Sequence, residues 1–188
     1  MSDIAILKKM IKEEFTVSLA ERKDGTHFNY SVTLTETQDN YSVTIDGMPN
    51  FNEVIIINAE NFLAPIKVFN GSKGECKRAD FIMIADTDTE KIIICIEMKK
   101  TKGKKIIQQL KGAKCFVSYC QEIGKAFWTK HNFLDTYQYR FISIGHIPIS
   151  KEKTRHDGKK KDSNKTHDCP EKMLIIKGKN SLQFDSLI

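Results

Sequence analysis

The sequence predicts an α/β (α+β) fold organised as one domain over residues 1–188. Apolar residues recur at helical spacing near the N-terminus and again over residues 105–124, which predicts two amphipathic helices. Between and after them lie short runs rich in β-branched residues, which predict strands. With 188 residues, 40% of them hydrophobic, the chain can bury the core of a single domain.

The first half of the chain is predicted to begin with a helix and to continue with strands. Ile4, Leu7, Ile11 and Phe15 define a helix over residues 3–15, and Asp3 can cap its first turn. The polar stretch 37–40 is typical of a hairpin loop. We expect strands over residues 28–36, 41–46, 54–57 and 66–69, the last ending at Asn70-Gly71.

The centre of the chain predicts a hairpin that is followed directly by a helix. Residues 79–85 are apolar apart from Asp80, and the run 91–100 follows a polar turn at 86–90. The next helix is predicted over 105–124, with Gly124 as its C-terminal stop. We expect later strands over 139–147 and 173–176, separated by a mobile, lysine-rich loop at about 151–171.

Charge and cysteine usage limit the classes of function. Lys and Arg number 30 against 24 acidic residues, a balance that permits binding to a polyanion but equally fits ordinary surface charge. The five cysteines form no C-x-x-C pair, so we expect reduced thiols in a cytoplasmic protein. Zinc is disfavoured, because His156, His167 and Cys169 lack regular ligand spacing. Neither a secretory signal nor a membrane span of ~20 apolar residues is predicted.

The second strand of the hairpin changes character at its end. Because alternate residues of a strand share a face, Glu97 and Lys99 point the same way, whereas Ile92, Ile94, Ile96 and Met98 form the opposite, apolar face. A carboxylate and an ammonium group at the end of a buried strand cost free energy, because both charges lose water. Such an ending usually serves a purpose.

The hairpin register brings a second carboxylate to Glu97. A symmetric turn centred between Asp88 and Thr89 places Asp80 directly opposite Glu97 on the neighbouring strand. Opposed like charges are destabilising unless something compensates, and a divalent cation such as Mg²⁺ would compensate. A register slip of one residue would instead put the two acids on opposite faces.

Lys99 would flank the ion held by these acids. A lysine at this place can orient a bound water or stabilise charge on a phosphate, which suits in-line attack of water on a phosphodiester. Simpler interpretations exist, because an E-x-K pattern often marks a solvated edge and Asp80 could cap a neighbouring backbone group. The hairpin, the register, the lysine and the basic helix that follows together favour the catalytic interpretation.

Basic residues surround this predicted centre. Phosphate neutralisation by lysine and arginine is the main source of sequence-independent affinity for nucleic acid. A solvated surface is the alternative interpretation. The candidate nucleic-acid-binding residues are Arg78, Lys100, Lys102, Lys104 and Lys105.

These residues resemble the PD-(D/E)XK nuclease superfamily, which includes many restriction endonucleases. The resemblance covers about residues 75–124, with ADFIMI, a turn, IIICIEMKK and a helix containing IIQQLKGAK. It implies a restriction endonuclease-like core, in which helices flank a central mixed β-sheet in the order α-β-β-β-α-β. It also implies Mg²⁺ or Mn²⁺ as cofactor, Asp80 and Glu97 as metal ligands, and Lys99 as the catalytic lysine.

The motif departs from the superfamily pattern in places. Ala79 replaces the proline, which offers no ligand. An additional acid on the first helix is expected, with Glu14 or Glu13 as candidates and Glu75 as another nearby carboxylate. Gln108 and Gln109 are accessory candidates, although Gly112 and Ala113 stand where RecB-like members carry a tyrosine.

The leading hypothesis is a metal-dependent nuclease that acts on nucleic acid, with DNA as the expected substrate and restriction or genome defence as the implied setting. The alternative is a catalytically inactive nuclease-fold module that binds nucleic acid or a partner protein, and a purely structural subunit is a third hypothesis. A homodimer is compatible with cutting both strands. The sequence distinguishes neither DNA from RNA nor endonucleolytic from exonucleolytic cleavage.

Overall fold

Two β-sheets and two α-helices form the protein in a computed structural model, which describes residues 1–37, 40–62, 65–98, 104–145 and 166–188. The helices are α1 (Asp3–Met10) and α2 (Lys104–Phe127). The strands are β1 (Ala20–Asp24), β2 (His27–Glu36), β3 (Tyr41–Met48), β4 (Val54–Asn58), β5 (Phe81–Asp86), β6 (Lys91–Met98), β7 (Gln138–Gly145), β8 (Leu174–Lys177) and β9 (Ser181–Gln183). The predicted α/β (α+β) class is therefore confirmed.

The larger sheet has five strands in the order β4-β5-β6-β7-β8. The first three strands are antiparallel neighbours, whereas β6, β7 and β8 run parallel to one another. Parallel neighbours need a long crossover connection, and α2 supplies it between β6 and β7. The smaller sheet has the order β1-β2-β3-β9, with β3 and β9 parallel.

Each face of the five-stranded sheet has its own apolar cover. Ile55 and Ile93 of one face form a buried cluster with Ile4 of α1 and with Leu110 and Val117 of α2. The alternation of side chains along each strand sends the neighbouring residues to the opposite face. Within the described ranges, no helix is long and apolar enough to cross a membrane.

The four-stranded sheet covers that opposite face. Val32 and Leu34 of β2 belong to a second buried cluster together with Phe81, Met83 and Ile94 of the larger sheet. Three layers result: helices, the five-stranded sheet and the four-stranded sheet. The carboxyl end of β2 is thereby held against the larger sheet.

The first helix is shorter than predicted. It ends at Met10, and the chain turns so that Thr16 can pair with Ile57 at the free edge of β4. The cap is Ser2 rather than Asp3, because the Ser2 hydroxyl accepts the N–H of Ala5 at 3.2 Å. Asp3 is buried instead and forms an ion pair of 2.6 Å with Lys130.

Two further element predictions were wrong. The predicted strand at 66–69 is a single turn, in which the Pro65 carbonyl accepts the N–H groups of Val68 and Phe69 at 3.0 and 2.9 Å. Gly124 does not stop α2, which continues to Phe127. Its role is steric, because a Cβ at position 124 would lie 2.1 Å from the buried ring of Phe133.

The loop prediction at 151–171 is corrected at its end. Residues 166–171 are described and attached to the fold, since the His167 ring pairs with the Leu187 carbonyl at 2.9 Å and the His167 carbonyl accepts the N–H of Phe141 at 2.8 Å. The rest of that prediction, residues 151–165, lies outside the described residues.

Candidate active site

The central hairpin has the register that the sequence predicted. Phe81 lies opposite Ile96 and Ile82 lies opposite Cys95. The turn between the strands is closed by the N–H of Thr87, which donates to the Glu90 carbonyl at 2.9 Å. Continued by one pair beyond Phe81 and Ile96, this register would set position 80 opposite position 97, at the end of the hairpin remote from its turn.

Asp80 lies just before β5 and is tied to both neighbouring strands. Its side-chain Oδ2 accepts the backbone N–H of Met98 on β6 at 2.5 Å. Its backbone carbonyl accepts the N–H of Ala59 at 2.8 Å and that of Glu60 at 3.3 Å, just beyond β4. Asp80 is only 4% exposed, so the ends of β4, β5 and β6 meet at one buried carboxylate.

Two more carboxylates converge on Asp80. One oxygen from each of Glu36, Glu60 and Asp80 lies within 4.8 Å of the other two. Glu36 is 1% exposed and Glu60 is half-buried. We call these three residues the acidic triad; Glu36 ends β2 of the smaller sheet, and Glu60 follows β4 of the larger sheet.

Strand parity explains why Glu36 points inward. Val32 and Leu34 precede it at alternate positions and pack in the cluster between the two sheets. The polar residues between them face outward, where Thr33 and Thr35 bond to hydroxyl groups on β3. Glu36 therefore continues a buried face, as a charged residue in a place suited to an apolar one.

Glu97 is completely buried near the end of β6. Ile93 and Cys95, which share its strand parity, lie in the cluster beneath α1 and α2. On its other side β6 pairs with β7, where Ser143 is the register partner of Glu97. Among the described carboxylates, the close group that contains Asp80 is completed by Glu36 and Glu60, and Glu97 is not a member of it.

The predicted accessory acids lie apart from the acidic triad. Glu14 occupies a short 3-10 turn after α1, where it is exposed and 3.8 Å from the Lys12 ammonium group. Glu75 is exposed, and its carboxylate accepts the N–H of Lys73 at 2.8 Å. Hydrogen bonds from the backbone of Glu75 itself and of Lys73 lower the pKa of the Glu75 carboxyl group.

The accessory glutamines occupy the first turns of α2. Gln109 is buried, whereas Gln108 donates from Nε2 to the Lys73 carbonyl at 3.1 Å. One turn farther along, Gly112 lies against the backbone of Lys77. The segment that leads into Asp80 is thus held on the surface of α2.

Part of the predicted basic surface is described. Lys104 and Lys105 are exposed at the start of α2, and Arg78 is half-buried two residues before Asp80. The predicted catalytic Lys99 and the predicted nucleic-acid contacts Lys100 and Lys102 lie outside the described residues.

The sequence interpretation missed Glu36 and Glu60. Glu36 carried a usable signal, because it shares the parity of Val32 and Leu34 and, like Glu97, follows apolar residues at alternate positions near the end of its strand. Glu60 carried none, since it follows β4 in a short turn without periodicity. The proximity of Glu36, Glu60 and Asp80 depends on how the two sheets pack.

Three carboxylates held close together can bind a divalent cation more tightly than a single carboxylate can. Oxygen ligands held close together suit a hard divalent cation, which also offsets their mutual repulsion.

Comparisons of the chain with known protein families, with characterised proteins and with solved structures give no match. The chemistry of the site is therefore argued from its own residues.

Proposed function

We propose that this protein is a metal-dependent nuclease that hydrolyses phosphodiester bonds of DNA. The observation that carries the proposal is the acidic triad, in which oxygens of Glu36, Glu60 and Asp80 lie within 4.8 Å of one another at the end of the central hairpin. Continued by one pair beyond Phe81 and Ile96, the hairpin register would oppose Asp80 to the buried Glu97, the other carboxylate expected from the nuclease motif.

The order of the elements supports the proposal. Apart from β1 to β3, the chain runs through a helix, three antiparallel strands, a crossover helix and a parallel strand, as α1, β4, β5, β6, α2 and β7. A restriction endonuclease-like core is expected to have this succession, α-β-β-β-α-β. The strands β1 to β3 stand as an insertion between α1 and β4, and this insertion supplies Glu36.

The donor set fits the expected cation, Mg²⁺ or Mn²⁺. Both are hard ions that bind carboxylate and carbonyl oxygens and leave room for phosphate oxygens. Asn58 adds a further observation, because its Oδ1 atom is buried without a hydrogen-bond partner among the described residues and its backbone pairs with Phe81, next to Asp80. A buried polar atom of this kind is costly unless a ligand or water satisfies it.

Each residue of the site has a separate task in the proposed reaction. Asp80, Glu36 and Glu60 would hold the cation, and the Met98 N–H fixes the orientation of Asp80. Glu97 would contribute a further carboxylate, and Lys99, the lysine expected from the motif, would stabilise charge on the phosphate. A bound divalent cation supplies neutralisation of the scissile phosphate and activation of the attacking water.

The charges around the site suit a polyanionic substrate. Arg78 precedes Asp80 by two residues, and Lys104 and Lys105 are exposed at the start of α2. Such residues neutralise phosphates irrespective of base sequence. We propose restriction or genome defence as the biological setting. This part of the proposal rests on the family resemblance, whereas the proposed activity rests on the chemistry of the site.

A cleavage assay tests the proposal directly. Purified protein is incubated with supercoiled plasmid, linear duplex, single-stranded DNA and RNA, each with Mg²⁺, with Mn²⁺ and with excess EDTA. We expect metal-dependent cutting of DNA and its loss in Asp80→Asn and in Glu97→Gln. Glu122→Gln, an exposed acid on α2, is the matched control and should cut like the wild type.

Two results would contradict the proposal. One is activity that survives in EDTA or in both site variants, which would separate the chemistry from these acids. The other is salt-sensitive binding of nucleic acid with no cleavage of any substrate, which would identify a binding module instead. Circular dichroism of each variant establishes that a loss of cutting is not a loss of fold.

A further inference from the structure

Residues 65–78, which lie between the second and third acids of the triad, form a surface loop that carries both apolar and basic side chains. Glu60 precedes it and Asp80 follows it, and we call residues 65–78 the intertriad loop. Three large apolar side chains on it lie in solvent: Ile66 is 69%, Val68 is 77% and Phe69 is 52% exposed. An apolar group of this kind on a protein surface commonly marks a contact with another molecule.

The base of the intertriad loop is fixed, although its tip is exposed. The Cys76 thiol donates to the Phe69 carbonyl at 3.6 Å, which closes the loop on itself. Gln108 of α2 holds the Lys73 carbonyl at 3.1 Å, and Gly112 admits the backbone of Lys77. These contacts restrict the loop before binding, which reduces the conformational entropy that is lost when it binds.

The charge of the loop identifies the kind of partner. It carries four basic residues, Lys67, Lys73, Lys77 and Arg78, against one acid, Glu75. The Lys73 carbonyl bonds to Gln108, and Gln108 follows the exposed Lys104 by about one turn of α2. Apolar side chains interleaved with cations suit a polyanion that also offers flat apolar surfaces, and stacked bases between phosphates provide both.

We propose that the intertriad loop contacts nucleic acid, with Ile66, Val68 and Phe69 inserted against the bases and its lysines on the flanking phosphates. The inference rests on the proposed function and extends it to a contact that would hold the substrate beside the acids. Inserted apolar side chains unstack bases and bend the strand, which gives preference for deformable or unpaired steps.

Binding measured without cleavage tests this contact separately from catalysis. Fluorescence anisotropy with a short labelled duplex in EDTA compares the wild type with the triple variant Ile66→Ser, Val68→Ser and Phe69→Ser. All three positions are exposed, so the fold should persist. We expect the variant to bind roughly tenfold more weakly or worse, since base contacts of this kind contribute a factor of this order.

The matched control replaces exposed apolar residues elsewhere, Phe28→Ser with Ile175→Ser, which are 53% and 55% exposed. Its affinity should equal that of the wild type. A duplex that contains 2-aminopurine should brighten when the wild type unstacks its bases and should not brighten with the triple variant. Lys67→Glu with Lys73→Glu should reduce the dependence of affinity on salt concentration.

The outcomes distinguish this inference from the proposed function. Binding that depends on the loop in a protein that never cuts would support the inference and contradict the nuclease. Cutting and binding that are unchanged in the triple variant would overturn the inference alone. Absence of binding in a wild type that cuts would overturn the inference alone, whereas absence of both binding and cutting would overturn both. A changed oligomeric state with unchanged binding would assign the loop to protein contacts instead.

Discussion

The carboxylate of Asp80 accepts the backbone N–H of Met98 across the central hairpin, with 2.5 Å between Oδ2 and N. Both residues are buried, so this one side chain has a structural role in addition to its proposed catalytic one. Mutagenesis can separate the two roles, because asparagine keeps an acceptor oxygen and loses the charge, whereas alanine loses both.

The first prediction concerns this hydrogen bond. Asp80→Ala should lower the free energy of unfolding by about 1–3 kcal/mol relative to Asp80→Asn, since it leaves the Met98 N–H buried without an acceptor. Urea unfolding of both variants in EDTA measures the difference. Both should lack nuclease activity. Equal stabilities of the two variants would show that the hydrogen bond contributes nothing measurable.

The second prediction tests whether Glu36 or Glu14 is a ligand of the cation. We expect Mn²⁺ to raise the melting temperature of the wild type, because a ligand that binds only the native state stabilises it. This metal-dependent increment should largely disappear in Glu36→Gln, which removes a charged ligand of the acidic triad. It should persist in Glu14→Gln, because Glu14 is exposed and outside the triad.

Differential scanning fluorimetry with and without Mn²⁺ measures the increment, and isothermal titration calorimetry gives the affinity. The opposite pattern, with dependence on Glu14 and none on Glu36, would favour the acid position expected from the sequence. An increment that is retained in both variants would place the cation elsewhere.

The third prediction concerns Gly112, whose missing side chain lets Lys77 approach α2. A Cβ at position 112 would lie 1.8 Å from the Lys77 carbonyl oxygen. Gly112→Ala should therefore destabilise the protein by about 1–3 kcal/mol as an overpacked site. In an open helix the same change would stabilise it by up to about 1 kcal/mol, so the sign itself is informative.

Position 112 should also affect the proposed reaction. Displacement of Lys77 disturbs a backbone three residues from Asp80, so Gly112→Ala should reduce cleavage in conditions where the protein remains folded. Cys115→Ala, an exposed change on the same helix, is the control for stability and activity. A stabilised Gly112→Ala variant would contradict the close packing of the 77–78 backbone on α2.

The fourth prediction is a pH dependence of stability at alkaline pH. Burial raises the pKa of the Tyr139 hydroxyl group to about 12 from its ordinary value of 10.0, and the nearby Cys95 adds to the effect. Between these values the unfolded chain loses the Tyr139 proton while the native protein keeps it. The native state then binds more protons, so stability falls as the pH rises through this interval.

Tyr139→Phe should make this fall less steep, because it removes the titrating group. Urea midpoints measured at several pH values between about 9 and about 12 give the slope. Tyr119→Phe removes an exposed hydroxyl, 66% of that residue being accessible, and should keep the wild-type slope. A Tyr139→Phe slope equal to the wild-type slope would contradict the raised pKa.

Local sequence patterns predicted the parts of the fold that local physics decides. The hairpin register followed from the polar turn and from the apolar runs on both sides of it, so Phe81 and Ile96 could be paired in advance. The placement of Ile93 and Cys95 on one face of β6, which Glu97 continues, followed from alternation along the strand. Both depend on neighbours close in the chain.

Features that depend on distant segments could not be predicted in this way. The first helix ends early because Thr16 pairs with β4, about forty residues farther along the chain. The sequence around Gly124 is typical of the end of a helix, yet the glycine is required there because the ring of Phe133 packs against it. Glu60 joins the site through tertiary packing, for which its own sequence neighbourhood carries no signal.

The acids of the proposed centre come from both sheets, with Glu36 on one and Asp80 and Glu60 attached to the other. A polypeptide that has formed only one of these layers therefore lacks a complete cation site. If the protein cleaves nucleic acid as proposed, cleavage requires both layers, and a nascent or damaged chain that holds only one of them would leave the surrounding nucleic acid intact.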